Sequence, residues 1–461
     1  MNPLTALCYV RLKPFDVVTE QGRAAERYRL AALAIIANVA SRATGLLVTL
    51  LSVNLTLPYL GVDRFGVWMT IASFTAMLTF LDLGVGNALT NRVAQRVVQG
   101  NPELVRQTVS GGLAFLALIG LAASALLGLI AACLPWDRVM SLSDPTLVHE
   151  THQAAVCFAL LFGFNVFTSG TQRVFAGLQL SVLGHLASLL GSLLSCLGLW
   201  WASGAQPGIT GLLVIMLGGQ SCASVLLLGV LVARHQVGLT GMAHALAIES
   251  PHLLKTGGLF LLLQIGTMIG WGADNLIIST TLGVAQVAVF SVVQRLFQLI
   301  SQPLGILNAP LWGAYADAHA RNDRQFIRKT LTRSFFVTIV GAILGAGLLL
   351  TAHAWLIEKW THAKIEAPWP FVALYAIWVV FDACGNAFAM FLNGTGIVKQ
   401  QVGVIMSFVV LVLPLKLLLI QVMGLQALPI ATLVAYLATH VCLYGLVHRK
   451  DIAKNVSTAP I

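Results

Sequence analysis

The chain has 461 residues, of which 57% are hydrophobic and only 10% charged, with a mean hydropathy of +0.85. A water-soluble domain carries roughly 25% charged residues, so this chain cannot cover a water-facing surface and reads as an integral membrane protein. Its net charge of +10 fits basic residues gathered on cytoplasmic loops better than a nucleic-acid surface.

The first segment, 1–32, is too charged for a cleaved signal peptide and reads as cytoplasmic. A transmembrane helix needs about 20 mostly apolar residues. On that template the chain holds twelve spans: 33–57, 65–87, 109–134, 153–172, 182–203, 209–233, 257–281, 287–312, 335–352, 368–393, 402–424 and 427–447. The edges near 172 and 312 are the softest, because the apolar runs fade there. Placing the amino terminus inside puts 20 lysines and arginines on the cytoplasmic side against four outside, with Arg42, Arg295 and Lys416 left within spans. That bias predicts that both ends are cytoplasmic. Most tryptophans, among them Trp68, Trp200, Trp201 and Trp355, then fall near the outer interface, as an aromatic belt does.

The two halves carry related segments. Leu60-Gly61-Val62 before span 2 recurs as Leu282-Gly283-Val284 before span 8, an offset of 222. Leu83-Gly84-x-x-Asn87-Ala88 recurs as Leu304-Gly305-x-x-Asn308-Ala309, an offset of 221. Six spans lie between the copies, so both halves have the same orientation. Parallel repeats of this kind are a transporter architecture with the substrate near the midplane. The expected fold is therefore an all-α polytopic membrane protein of about 12 transmembrane helices, in two parallel six-helix bundles around a central cavity. The bundles are 33–233 and 257–447, joined by a cytoplasmic linker 234–256 and followed by a cytoplasmic tail 448–461.

Polar residues inside the spans fall on helical faces. Asn38, Arg42, Gly45, Thr49, Ser52 and Thr56 step by three and four along span 1, so they share one face. Lipid penalises such a face, which must look into protein or a wet cavity. The 222 offset carries Arg42, Gly45, Thr49 and Ser52 onto Gln264, Thr267, Trp271 and Asp274 of span 7, so the matching face is polar too. Span 8 repeats the pattern with Ser291, Arg295, Gln298, Gln302 and Gly305, and span 10 with Asp382, Asn386 and Asn393. Lys416 follows Pro414 deep in span 11. Six in-span charges (Arg42, Asp82, Asp274, Arg295, Asp382 and Lys416) each cost roughly 2.5–3.5 kcal/mol at a helix centre unless paired or hydrated. Structural ion pairing is the plain alternative for each of them. Asp82, before Gly84 and Gly86, reads better as a helix-end cap or structural partner. Asp274 reads equally as an ion or proton site and as the partner of a lysine or arginine.

Several chemistries are excluded or weakened. There is no G-x-x-x-x-G-K-[ST] loop, so ATP hydrolysis through that motif is ruled out. The seven cysteines (Cys8, Cys133, Cys157, Cys196, Cys222, Cys384 and Cys442) show no disulfide or zinc spacing. His149-Glu150-Thr151-His152 is not the H-E-x-x-H of zinc peptidases and is expected to be solvated in the outer loop 135–152. Residues 92–106 read as an interfacial amphipathic piece. No metal or cofactor is expected, and a H⁺ or Na⁺ gradient is a candidate energy source.

The segment YLGVDRFGVWMTIASFTAMLTFLDLGVGNALTNRVAQRV (59–97) resembles the first signature of bacterial polysaccharide-transport proteins. These are O-antigen-type flippases of the multidrug/oligosaccharidyl-lipid/polysaccharide exporter superfamily. ADNLIISTTLGVAQVAVFSVVQRL (273–296) looks like their span 7–8 signature. The resemblance implies a non-enzymatic flippase that carries a polyprenyl-pyrophosphate-linked oligosaccharide to the periplasmic leaflet of the bacterial inner membrane, for O-antigen, capsule or exopolysaccharide assembly. Polysaccharide polymerase and chain-length machinery would be candidate partners, alongside the lipid bilayer itself. It implies a cationic cavity, onto which Arg42, Arg295 and Lys416 map, with Asp274 at the acidic position of span 7. The expected substrate-binding residues are Arg42, Arg295, Lys416, Asn38, Gln264 and Gln298, and the expected ion-coupling residues are Asp274 and Asp382. Ion-coupled multidrug exporters of the same superfamily are the alternative, and a membrane polysaccharide polymerase or ligase a more distant one.

Overall fold

A computed structural model describes residues 20–443, apart from 179, 235, 239–240, 310, 321–322 and 396–397. The expected segment 1–32 is thus described only from residue 20, and the tail 448–461 and the end of span 12 lie outside the described residues. Every regular element among the described residues is helical. Among the described residues, nine helices are long and apolar enough to cross a membrane. One of them, Ala32–Thr75, takes in spans 1 and 2, and another, Gln401–His440, takes in spans 11 and 12. Span 7 is built from the helix Met242–Thr267, a π turn at Met268–Gly272 and the helix Asp274–Thr281. Each of the twelve expected spans overlaps helix among the described residues, with the end of span 12 lying outside them.

The breaks have local causes. The helix Glu20–Met77 bends at Gly61, whose φ of 75° and ψ of 175° are open only to a residue without a Cβ. Gly283 precedes the helix Val284–Asn308 with φ 88° and ψ 166°, so the offset of 222 joins two glycines in the same rare conformation. The second sequence match does not carry its geometry. Leu83 and Gly84 are left-handed, with φ of 54° and 70°, whereas Gly305 lies inside the Val284–Asn308 helix. Span 2 therefore ends earlier than expected. Its α-helix stops at Met77, a 3-10 turn covers Leu78–Asp82, and a new helix runs Val85–Val98. Asp82 accepts the Gly84 N–H at 2.8 Å, so this carboxylate fixes the turn, as expected for a capping residue.

Two other expectations change. The helix Pro145–Gly177 begins before span 4 and runs past residue 172, so the outer loop is shorter than 135–152. His149-Glu150-Thr151-His152 sits in the first turns of that helix rather than in a solvated loop. Thr151 is buried, and Glu150 pairs with Arg64 at 3.0 Å.

The chain forms two compact units. The first takes Met1–Leu51, Phe80–Leu134 and His152–Leu261, and the second takes Ser52–Thr79, Pro135–Thr151 and Leu262–Ile461. In the first, small residues bring helices together: a Cβ on Gly120 would lie 2.3 Å from the Gly163 carbonyl oxygen, the close approach that membrane helices use in place of a hydrophobic drive. In the second, Phe290, Phe297, Phe371 and Tyr375 form a buried aromatic cluster with ring centroids 5.5–6.0 Å apart. Large apolar side chains point outward, with Leu121 and Leu344 each 68% exposed and Val422 84%, as a lipid-facing surface requires.

Candidate substrate and ion sites

In the first unit, Arg42 projects from the middle of the first long helix and is exposed. Its Nε donates to Asn38 Oδ1, one turn earlier, at 3.2 Å, which directs the guanidinium. Thr49 satisfies its hydroxyl on the Gly45 carbonyl at 3.0 Å. His185, near the start of the helix Ser181–Ala205, lies within electrostatic reach of Arg42. Nothing in the residue pattern singles out His185, because a lone histidine has no spacing.

A second polar group in this unit was also missed. Glu249, only 1% exposed, is held by Arg92 at 3.1 Å, Arg96 at 3.6 Å and the Thr108 hydroxyl at 3.1 Å. It lies in the helix Met242–Thr267, so residues expected to be a plain linker are anchored to the helices Val85–Val98 and Pro102–Cys133. Gly111 packs on the Ala245 carbonyl of the same linker helix, where a Cβ would approach to 2.6 Å. Arg92 and Arg96 are thus engaged with protein as well as lying on an amphipathic segment.

The rest of the polar stripe belongs to the second unit. Ser52 and Thr56 are fully buried there. Arg295, half-buried on the helix Val284–Asn308, donates through Nη1 to the Ser52 hydroxyl. Its guanidinium also lies over the Trp68 ring, 5.8 Å from the centroid. Gln298 and Gln264 are half-buried. The side chains of Thr267 and Trp271 lie outside the described residues.

Lys416 is 1% exposed and donates to Asp274 Oδ1 at 2.5 Å and to the Gly270 carbonyl at 3.0 Å. The π turn at Met268–Gly272 explains the second bond. It breaks the i→i+4 register just before Asp274, leaving a carbonyl available to a side chain. Of the two readings of Asp274, the structure displays the ion pair. The Lys416 charge is met inside the protein.

Asp382 has a different environment. It borders a cavity of about 320 Å³ with Asn386, Gln401, Tyr436 and His440. His440 sits in a π turn over Leu437–Leu443 and stacks on Tyr436 at 4.4 Å and 9°, while Phe408 meets it edge-on at 5.4 Å. Trp378 closes on Tyr436 at 5.6 Å. Both π turns in the described residues therefore adjoin an expected ion-coupling residue or its cavity, and such turns concentrate at functional sites. No cluster of metal-ligating side chains occurs among the described residues.

No protein-family profile and no curated protein sequence matches this chain. Solved structures do. A multidrug resistance MATE family transporter of the MOP superfamily, in its inward-facing conformation, superposes with a TM-score of 0.75 at 14% identity, covering 92% of this chain and 100% of its own. The lipid II flippase MurJ, inward closed, gives 0.70 at 15% identity over 92% and 90%. A MOP superfamily transporter from Pyrococcus furiosus gives 0.67 at 13% identity over 93% and 97%. Over nine-tenths of its length the chain has the fold of these transporters, and the comparison includes both a multidrug resistance transporter and a lipid II flippase.

Proposed function

We propose that this protein is a flippase that carries a polyprenyl-pyrophosphate-linked oligosaccharide from the cytoplasmic to the periplasmic leaflet, by alternating access of the bundles 33–233 and 257–447. Both termini would lie in the cytoplasm, and the cargo would feed surface polysaccharide assembly together with polymerase and chain-length machinery. The single observation that carries this reading is Arg42, a guanidinium exposed in the middle of an apolar helix and steered by Asn38. Such a group faces water rather than lipid, stays charged when partly dehydrated and matches phosphate oxygens in a fork. Arg42 and Arg295 hold the pyrophosphate. Lys416 joins them when its pair with Asp274 opens, and Asn38, Gln264 and Gln298 meet sugar hydroxyls. Asp382 takes the coupling H⁺ or Na⁺ in its cavity, and Asp274 exchanges between that ion and Lys416. The lipid tail stays in the bilayer.

One observation favours the drug-exporter alternative. The cavity of Asp382, Tyr436 and His440 is acidic and aromatic, a surface suited to an organic cation. Reconstituted vesicles separate the two. The proposal expects flipping of a short polyprenyl-pyrophosphate glycan that Arg42→Ala lowers at least tenfold and Asp382→Asn makes indifferent to an imposed ion gradient. Efflux of an organic cation with no glycan flipping would replace the proposal with its alternative.

A further inference from the structure

Within the second compact unit, residues 52–69 are tied to the C-terminal half by a row of contacts that no expectation about cargo requires. Asn54 Oδ1 meets His362 Nε2 at 3.1 Å. Lys364 Nζ donates to the Pro58 carbonyl at 3.3 Å, and Asn275 Nδ2 donates to the Met69 carbonyl at 3.3 Å. At Gly66 the chains touch backbone to backbone, since a Cβ there would fall 1.9 Å from the Val284 carbonyl oxygen. Asn54, Pro58, Gly66, Met69, Asn275 and Val284 lie toward the end of spans 1, 2, 7 and 8 that the charge bias places outside, and His362 and Lys364 follow span 9 at that same end.

Arg295 joins this row, donating to Ser52 and lying over the Trp68 ring. The hydroxyl is buried, and the indole is 1% exposed. Trp68 Nε1 finds no hydrogen-bond acceptor among the described residues. A buried indole normally satisfies its N–H, so this side chain offers its face and not its donor, which is what a guanidinium uses. We propose that Ser52 and Trp68 are positioning residues that latch Arg295 across this seam, and that a phosphate captured by Arg295 releases the latch. The proposal rests on the reading of Arg295 as a phosphate holder.

The competition follows from bond strengths. A neutral hydroxyl accepts one N–H of the five that a guanidinium carries, whereas a phosphate takes two in parallel with a charge-assisted gain about twice that of a neutral bond. Turning the fork toward phosphate forfeits the Ser52 bond and tilts the plane off Trp68. Cargo binding thereby loosens the seam that must part before release on the far side. An empty carrier stays shut there, so the latch blocks leakage through an unloaded protein.

The test uses the full chain with its seven cysteines replaced by alanine and a reporter pair, Asn54→Cys with His362→Cys, whose disulfide formation reads closure of the seam. Without ligand, Ser52→Ala with Trp68→Leu should slow cross-linking about tenfold, while Ser52→Thr, which keeps the hydroxyl, should match the parent. Inorganic pyrophosphate should slow cross-linking severalfold in the parent and leave the double variant unchanged. Ser52→Ala alone keeps the test readable if Trp68→Leu disturbs folding. Calorimetric titration with pyrophosphate runs in parallel. Pyrophosphate that binds without slowing cross-linking overturns the latch alone. Pyrophosphate that does not bind overturns both the latch and the phosphate reading of Arg295.

Discussion

Replacing Asp274 by asparagine tests the central ion pair most directly. Lys416 is 1% exposed, and its described partners are Asp274 at 2.5 Å and the Gly270 carbonyl at 3.0 Å. Removing the carboxylate charge leaves an ammonium in a low-dielectric interior with one neutral acceptor. Breaking a buried pair from one side costs about 3–5 kcal/mol. At about 2 °C per kcal/mol for a unit of roughly this size, the apparent thermal midpoint in detergent should fall by ~6–10 °C. Lys416→Met alone strands the carboxylate, which is 16% exposed, so its loss should be smaller. Asp274→Leu with Lys416→Met should recover most of the stability, since well-packed apolar pairs replace buried ion pairs at little cost. The assay is the heated fraction remaining monodisperse, measured for both singles and the double. An Asp274→Asn midpoint within 1 °C of the parent, or a double variant that loses the sum of the singles, would refute the reasoning.

Two further outcomes follow from the backbone and the linker. Neither Gly61 nor Gly283 has an atom within 4 Å of a built Cβ, so alanine at either meets no clash and reports backbone strain alone. Each should cost about 1–3 kcal/mol, and unequal losses would break their equivalence. Glu249→Gln keeps the shape but weakens bonds to Arg92, Arg96 and Thr108. At about 1.5–3 kcal/mol for a charged hydrogen bond, protease cleavage between the helices ending at Ala233 and starting at Met242 should speed up about tenfold, and an unchanged rate would show that Glu249 does not anchor the linker.

Much of the fold was legible because bilayer thickness imposes a length on every span. The repeat was legible at Gly61 and Gly283, where a positive φ with an extended ψ demands glycine and leaves the same mark in both halves. It misled at Gly84 and Gly305. In the first copy Asp82 supplies a side-chain acceptor for the turn, while the residue 221 positions later is Pro303, which offers none, and the helix continues. The pairing of Asp274 with Lys416 was left open because spans 7 and 11 are related by packing and not by periodicity. Glu249, His185 and His440 were invisible for a similar reason: each is a single polar residue whose role depends on what folds over it. The two π turns had no sequence signal that the 3.6-residue template could register.

The distribution of charge also says which groups are open to a cargo. In the second unit Lys416 is met by Asp274, and Arg295 is engaged by Ser52 and Trp68. In the first unit Arg42 is exposed, steered only by an amide oxygen in the bond described, and accompanied by a nearby imidazole. If the proposed role holds, an anion can reach Arg42 without displacing a buried partner. On the same proposal, engaging Arg295 or Lys416 would exchange an existing contact, and that exchange would report loading. A carrier needs both kinds of group, one to attract its cargo and one whose rearrangement depends on the cargo being there.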